Sequence, residues 1–391
     1  LKIILVFDTI SFIYIYKLRG VEVVSKKIGE HKTGITNKLS KEIVPVLLNW
    51  YEYNARILPW RSEPTPYHVW ISEIMLQQTR VEAVKPYYDR FLCELPDIEA
   101  LSKVEDEKLM KLWQGLGYYN RARNLKTAAI TIMNEYDGVM PRDYEKILSL
   151  KGIGEYTAGA ISSIAYQIPV PAVDGNVLRV ISRVEANDED ILKASTKKRV
   201  REELIEIMPE DRAGDFNQAL MELGATVCLP NGKPLCENCP WDTVCQAYKQ
   251  DRVMEFPVKQ PKKKRKIEQR TVFLLYSKGK IAVCKRPDTG LLAGLWEFPN
   301  ELGKLGIEEA KEKLEQWGIN QYELEETAKG KHIFSHIEWQ MSGYFVEIED
   351  GDAIDWRELE FEWISVEEME RRYAIPSAYE LFLREIEKKY S

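Results

Sequence analysis

Across residues 251–270 the chain changes its hydrophobic period, and that change constrains its fold more than any other feature. Before it, from about residue 40 to 250, apolar residues recur at three- and four-residue steps between Gly and Pro punctuation, as in "KEIVPVLLNWYEYNA" and "DRAGDFNQALMELGATV". Long β-branched alternating runs are almost absent there, so this half reads as all-α. After it come short alternating segments, "TVFLLYS", "IAVCKR" and "HIFSHIEWQMSGYFVEI". A helical stretch, "IEEAKEKLEQWGI", lies between them and another closes the chain, so this half reads as α+β. The stretch between the halves, "DRVMEFPVKQPKKKRKIEQR", carries two prolines and a basic block and reads as an interdomain connector. The expected organisation is multidomain: an extension over 1–39, a helical domain over 40–250, the connector over 251–270 and an α+β domain over 271–391.

Charge narrows the class of partner. The formal charge is −7, with +5 over 251–270 against −10 over 271–391. Such a balance excludes a polycation that coats nucleic acid in bulk, so any DNA contact is local and made by particular groups. The opening "LKIILVFDTISFIYIY" is apolar, but short, β-branched and interrupted by Asp8. It reads as a poorly ordered extension, not as a membrane anchor or a cleaved signal. The basic string "PKKKRK", 261–266, reads as part of the connector in preference to a nuclear-localisation signal.

Four of the six cysteines crowd together as Cys228-x7-Cys236-x2-Cys239-x5-Cys245. Four thiolates at this spacing can hold a tetrahedral metal or an iron–sulfur cube. Zinc ribbons bring two C-x2-C knuckles and only one is present here, which favours a [4Fe–4S] cluster over zinc. Two disulfides, or four unrelated buried thiols, are the alternative.

Three further stretches carry carboxylates or backbone donors where chemistry can use them. "VWISEIMLQQTRVEAV", 69–84, has the period of one long helix through Val69, Trp70, Ile74, Met75, Val81 and Val84. Glu73 sits inside that apolar pattern, with Gln77 one turn on and Gln78 beside it. "LKGIGEYTAGA", 150–160, is a turn with Gly152 and Gly154 that leads into a helix. Its backbone N–H groups and helix N-terminus suit a phosphate, although a plain helix–turn–helix connection has the same look. In "VPAVDGNVLRVISRV" Asp174 is placed to cap the helix whose apolar face is Val177, Val180, Ile181 and Val184. Capping alone accounts for an aspartate there, but one held by helix N–H groups stays ionised and stabilises a nearby developing cation.

These features occur in an order that resembles the helix–hairpin–helix DNA glycosylase superfamily, and within it the adenine DNA glycosylases of MutY type. The resemblance runs over residues 40–391, and "SEIMLQQTR" and "GLGYYNRARNL" are its most specific segments. It implies base-excision repair: removal of adenine mispaired with 8-oxoguanine or guanine in duplex DNA by a monomeric, cytoplasmic enzyme acting on chromosomal DNA, with no membrane contact. In that frame Glu73 is the general acid that protonates the adenine and then helps to activate water, a task that needs apolar surroundings to raise its pKa. Taken alone, a glutamate on a helix reads as part of a solvated face. Asp174 stabilises the oxocarbenium-like sugar, while Tyr156 and Asn176 position the sugar and Asp174. Related lyases carry a Schiff-base lysine where Tyr156 stands, so a monofunctional glycosylase is implied. Gln78, Thr79 and Tyr118 fill or flank the gap beside the lesion pair, and Arg56, Arg61, Leu76 and Gln218 line the adenine pocket. Tyr118 taken alone is equally well a core aromatic.

The final domain resembles a Nudix fold with an eroded catalytic box. Glu312 and Glu315 remain, Lys311 and Gln316 replace the expected Arg and Glu, and Gly303 stands where the upstream Glu belongs. Too few carboxylates are left for catalytic Mg²⁺, so recognition without hydrolysis is expected. "HIFSHIEW" alternates like a strand, with Phe334 and His336 on one face and Ser335 on the other, and the resemblance implies that these three read 8-oxoguanine. A hairpin with incidental polar residues is the plainer origin of such a triplet. One departure is the seven-residue loop after Cys228, where the family has six; Asn231-Gly232 supplies a turn to absorb it. Other readings of the chain are a thymine-mismatch or oxidised-pyrimidine glycosylase, a DNA-damage sensor without activity, and a nucleotide pyrophosphohydrolase.

Overall fold

Helices occupy the chain from Ile43 to Lys249, and strands follow only from Lys266. This computed structural model describes residues 39–261, 264–351, 354, 356 and 358–390. The expected N-terminal extension, apart from Leu39, and Lys262 and Lys263 of the basic block lie outside the described residues.

Two apolar cores organise the helical half. One gathers residues from Leu58 to Ala172, including Trp70, Phe91 and Trp113. The other joins Leu39–Tyr51 to Val177–Phe256 and includes Val180, Phe216, Leu220 and Trp241. The chain passes from the first core to the second just ahead of Asp174, so a cleft forms between them with that residue at its edge. Burial of such side chains, about 1.5–3 kcal/mol each, supplies the drive.

Local signals set the helix ends. Thr65 accepts the N–H of His68 at 3.1 Å and Pro66 follows, so Pro66–Leu76 begins as a capped helix. The stretch 69–84 is not one long helix: it breaks at residues 77–80, and Val81–Glu94 starts a second. Gln78 there has φ of 61°, in the left-handed region. The carbonyls orphaned at the break are taken by Arg121, whose Nη1 donates to Ile74 (2.5 Å), Met75 (3.3 Å) and Gln77 (2.7 Å). No Gly or Pro marks the break, and its partner lies more than forty residues away, so periodicity misses it.

The glycine turn joins Tyr144–Ser149 to Glu155–Ala160 and completes a helix–hairpin–helix. Gly152 has φ of +80°, and a Cβ there would meet Asn124 Cβ at 2.5 Å. Only glycine fits.

In the second half, strands β1 (Lys266–Ser277), β2 (Lys280–Lys285), β3 (Trp296–Glu297), β4 (Asn300–Leu302), β5 (Tyr322–Ile333), β6 (Ile337–Ile348) and β7 (Phe361–Ser365) form one mixed sheet. Its order is β3-β2-β1-β6-β5, with β4 beside β1 and β7 beside β2. β1 runs parallel to β6 from Lys266↔Ile337 to Tyr276↔Glu347, and the other pairs are antiparallel. β1 thus begins inside the stretch expected as connector. Ile307–Gln316 covers one face over Phe273, Leu275 and Tyr344, and residues 375–386 cover the other over Trp339 and Phe345.

Phe334, Ser335 and His336 do not lie on a strand. They form the turn between β5 and β6, closed by Phe334 N–H to Ile337 O at 2.8 Å. Alternation continues through this turn, which hides it in the sequence. The two halves meet through Leu295 and Ala374, which are buried in the first helical core, and through side-chain donors of the helical half that reach main-chain oxygens of the second. Lys111 Nζ donates to Tyr373 O at 3.1 Å and Gln114 Nε2 to Ile375 O at 2.9 Å, and Arg123 donates to Ala293 O.

Candidate active site

Between the two helical cores lies a cavity of about 910 Å³. Its lining includes Arg56, Arg61, Glu73, Leu76, Gln78, Thr79, Tyr118, Tyr156, Asp174, Asn176 and Gln218. These eleven residues, scattered over more than 160 positions, are brought together. Gly152 and Gly154 are not in the lining, and neither is the Phe334–His336 turn; Gly152 shapes the hairpin turn. Ser335 meets the cavity's edge through a 3.1 Å hydrogen bond with the hydroxyl of Tyr118.

Glu73 is 6% exposed, on the inward face of Pro66–Leu76. Burial pushes its carboxyl up to about 7, and the negative charge of Asp174 adds to the rise. The phenol of Tyr156 donates to Glu73 Oε2 and opposes the shift by stabilising the anion. Tyr156 also reaches Met221 Sδ at 3.3 Å, and its own pKa is driven well above the usual value by burial. The side-chain partner of Tyr156 is therefore Glu73, not Asp174.

Asp174 caps the helix Gly175–Glu185, accepting Val177 N–H at 2.8 Å. Its second oxygen accepts from Asn176 Nδ2 at 2.6 Å. Burial raises its pKa, while Val177, Asn176 and the Arg179 guanidinium work against the rise. The two carboxyls thus sit in unlike settings: Glu73 among apolar groups with one phenol, Asp174 on helix donors. Arg179 steadies the cap by donating to Asn176 Oδ1 at 2.9 Å and to Gly224 O at 2.7 Å. Gly224 permits that approach, since a Cβ there would meet Asn176 Cβ at 2.6 Å.

Glu222 escaped the sequence reading. It is wholly buried and takes Arg56 Nε at 2.6 Å and Arg61 Nη2 at 2.7 Å. Burial opposes its ionisation, but the two guanidinium groups outweigh burial and hold the carboxyl below the usual range. An acid in the apolar run "FNQALMELGA" was the available signal, the same anomaly that marks Glu73. Replacing Glu222 by Ala is expected to cost about 2–3 kcal/mol in a denaturant titration. That is below the ~3–5 kcal/mol of a fully buried pair, because the Arg56 side chain is 35% exposed.

The four clustered cysteines line a separate pocket, walled by Val180, Leu223, Val227 and Trp241, and none is in a disulfide. Arg183 donates to Cys228 Sγ at 3.2 Å. Among the described residues no group of three or more His, Cys, Asp or Glu is set to hold a single metal ion. These four thiols are the donor set that a metal centre at this loop would use.

Comparison with known proteins accords with this arrangement. Residues 71–210 match the family model described as HhH-GPD superfamily base excision DNA repair protein, and residues 271–385 match the NUDIX domain. The fold and its cleft therefore define a base-excision glycosylase scaffold of the helix–hairpin–helix class, extended by a Nudix-like domain. The adenine DNA glycosylase of Mus musculus is 34% identical over 78% of this chain and 71% of its own. That of Schizosaccharomyces pombe is 33% identical over 83% and 85%. That of Arabidopsis thaliana is 38% identical over 74% of this chain, which spans 55% of the plant protein. The chain belongs to the adenine DNA glycosylase family. Among solved structures, a thermostable thymine-DNA glycosylase is 32% identical, with a TM-score of 0.49, over 54% of this chain and 96% of its own. No helix among the described residues is long and apolar enough to cross a membrane.

Proposed function

We propose that this protein hydrolyses the N-glycosidic bond of adenine mispaired with 8-oxoguanine or guanine in duplex DNA, as a monofunctional glycosylase. The observation that carries the reading is Glu73, a buried carboxyl with a pKa of about 7 at a cavity edged by the helix-capped Asp174.

The steps follow from the two settings. Gln78 and Tyr118, at the mouth, fill the gap left when adenine leaves the stack, a movement that costs a few kcal/mol. Adenine enters between Arg56, Arg61, Leu76 and Gln218. Protonated Glu73 gives its proton to a ring nitrogen, the C1′–N bond breaks, and the bonding electrons leave with the base. The sugar cation that remains lies near Asp174, whose negative charge stabilises it. Water adds to C1′ and its proton returns to Glu73. Asn176 keeps Asp174 oriented and Tyr156 keeps Glu73 oriented. With tyrosine at 156 in place of an amine, no Schiff base forms and the strand stays uncut.

The turn Phe334–Ser335–His336 reads the base opposite adenine, and its contact with Tyr118 places it at the mouth. Glu312 and Glu315 are exposed on a helix of the Nudix-like domain, which recognises and does not hydrolyse. Cys228, Cys236, Cys239 and Cys245 would hold a [4Fe–4S] cluster, which would cross-link the 228–245 loop and would supply no step at the base.

The pH dependence tests this reading. Glu73 works as the acid, so activity is present while it is protonated and is lost as pH rises through about 7, about tenfold per unit beyond. Single-turnover adenine release from A opposite 8-oxoguanine should show that limb. Tyr156→Phe removes a hydrogen bond that favours the anion, so the limb should move to higher pH. A flat profile from pH 6 to 9, or preferential release of thymine opposite guanine, would defeat the assignment.

A further inference from the structure

Arg121 has no role in the steps above, yet its guanidinium grips both turns that meet at the mouth. Its Nη1 donates to Ile74, Met75 and Gln77, closing the helix ahead of Gln78. Its Nη2 donates to Leu116 O and Gly117 O, both at 3.1 Å, within the turn ahead of Tyr118. Gln78 and Tyr118 both hold left-handed backbone, with φ of 61° and 48°. Side chains rarely adopt that state unless their surroundings impose it. The guanidinium also lies over the rings of Trp113, at 5.3 Å, and Tyr118, at 5.6 Å. Its Nε is buried without a hydrogen-bond partner, so the fork is oriented to serve the five carbonyls. Only a planar fork reaches two turns at once; the point charge of a lysine cannot.

We propose that Arg121 is a positioning residue that locks the Gln78 turn and the Tyr118 turn into one unit, so that both side chains enter the duplex together as the target base leaves it. Two independent turns would each lose conformational freedom during extrusion. A pair joined beforehand loses it once, at folding. The inference rests on the reading of Gln78 and Tyr118 as residues that fill the gap.

The experiment is a double-mutant cycle, Gln78→Ala with Tyr118→Ala, built in the native chain and in Arg121→Lys. The readout is the extrusion rate of 2-aminopurine at the target position opposite 8-oxoguanine, followed by fluorescence alongside adenine release. In the native chain the product of the two single losses should exceed the loss in the double variant by about fivefold or more. In Arg121→Lys the losses should multiply. Multiplicative losses in the native chain, or non-additivity that survives Arg121→Lys, overturn the proposal. A second measurement needs no variant. The amides of Thr79, bonded to Leu76 O at 3.3 Å, and Leu116, bonded to Trp113 O at 3.1 Å, should exchange with one common opening constant. Two distinct constants overturn the lock. A native chain that extrudes 2-aminopurine but releases no adenine sinks the functional reading and leaves the lock to be decided by fluorescence and exchange.

Discussion

Replacing Glu73 by Gln removes adenine release almost entirely, with a fall of about 10³-fold in the single-turnover rate on A opposite 8-oxoguanine. The amide keeps the shape of the carboxyl and an oxygen for the Tyr156 phenol, but has no acidic proton to give. The variant should not be a folding casualty. The native carboxyl holds its proton up to about 7 because burial disfavours the anion. From the ordinary value of about 4.5 up to about 7 the folded protein must keep a proton that the unfolded chain releases freely, and above 7 it carries a buried charge, so the cost grows across that window and then levels off. Glu73→Gln is therefore expected to be as stable as the native protein at pH 4 and about 2–3 kcal/mol more stable at pH 8, with most of the gain already present at pH 6. Calorimetry at the two values checks this. Loss of activity joined to a gain in stability separates a catalytic acid from a packing residue. Unchanged turnover would sink the mechanism.

Asp174→Asn is expected to lower the same rate by about 10²–10³-fold, the scale seen when one charge-stabilising group is removed from an active site. The helix cap should survive, because an asparagine oxygen still accepts Val177 N–H. Duplex binding and the melting temperature should change little, and the pH limb set by Glu73 should move down, since the charge of Asp174 helps to raise that carboxyl. Single-turnover profiles from pH 5 to 9 decide it. A variant that keeps full turnover would assign Asp174 to capping alone.

Much of this arrangement is legible in the chain. The halves announce themselves by their periods, because a helix face and a strand face need different spacing of apolar residues. Glu73 stands out as an acid within an apolar run, and Asp174 as a cap ahead of Val177. What escapes the sequence is made by distant partners. The break after Leu76 depends on Arg121, and Glu222 depends on Arg56 and Arg61; none of these pairings has a local signature. The Phe334–Ser335–His336 turn carries no Gly, Asn or Asp, so alternation runs through it unmarked. The link from Tyr156 to Glu73 joins residues on two helices that only the first core brings together.

The seam between the halves has a consequence for how the chain tolerates drift. Lys111, Gln114 and Arg123 reach across it to main-chain oxygens of Tyr373, Ile375 and Ala293. A peptide oxygen is present whatever side chain is attached to its residue, so a substitution at 293, 373 or 375 acts through packing and not through loss of the acceptor. Sensitivity of these three bonds to mutation should accordingly be lopsided: a change at 293, 373 or 375 leaves the acceptor in place, whereas loss of Lys111, Gln114 or Arg123 removes its bond outright.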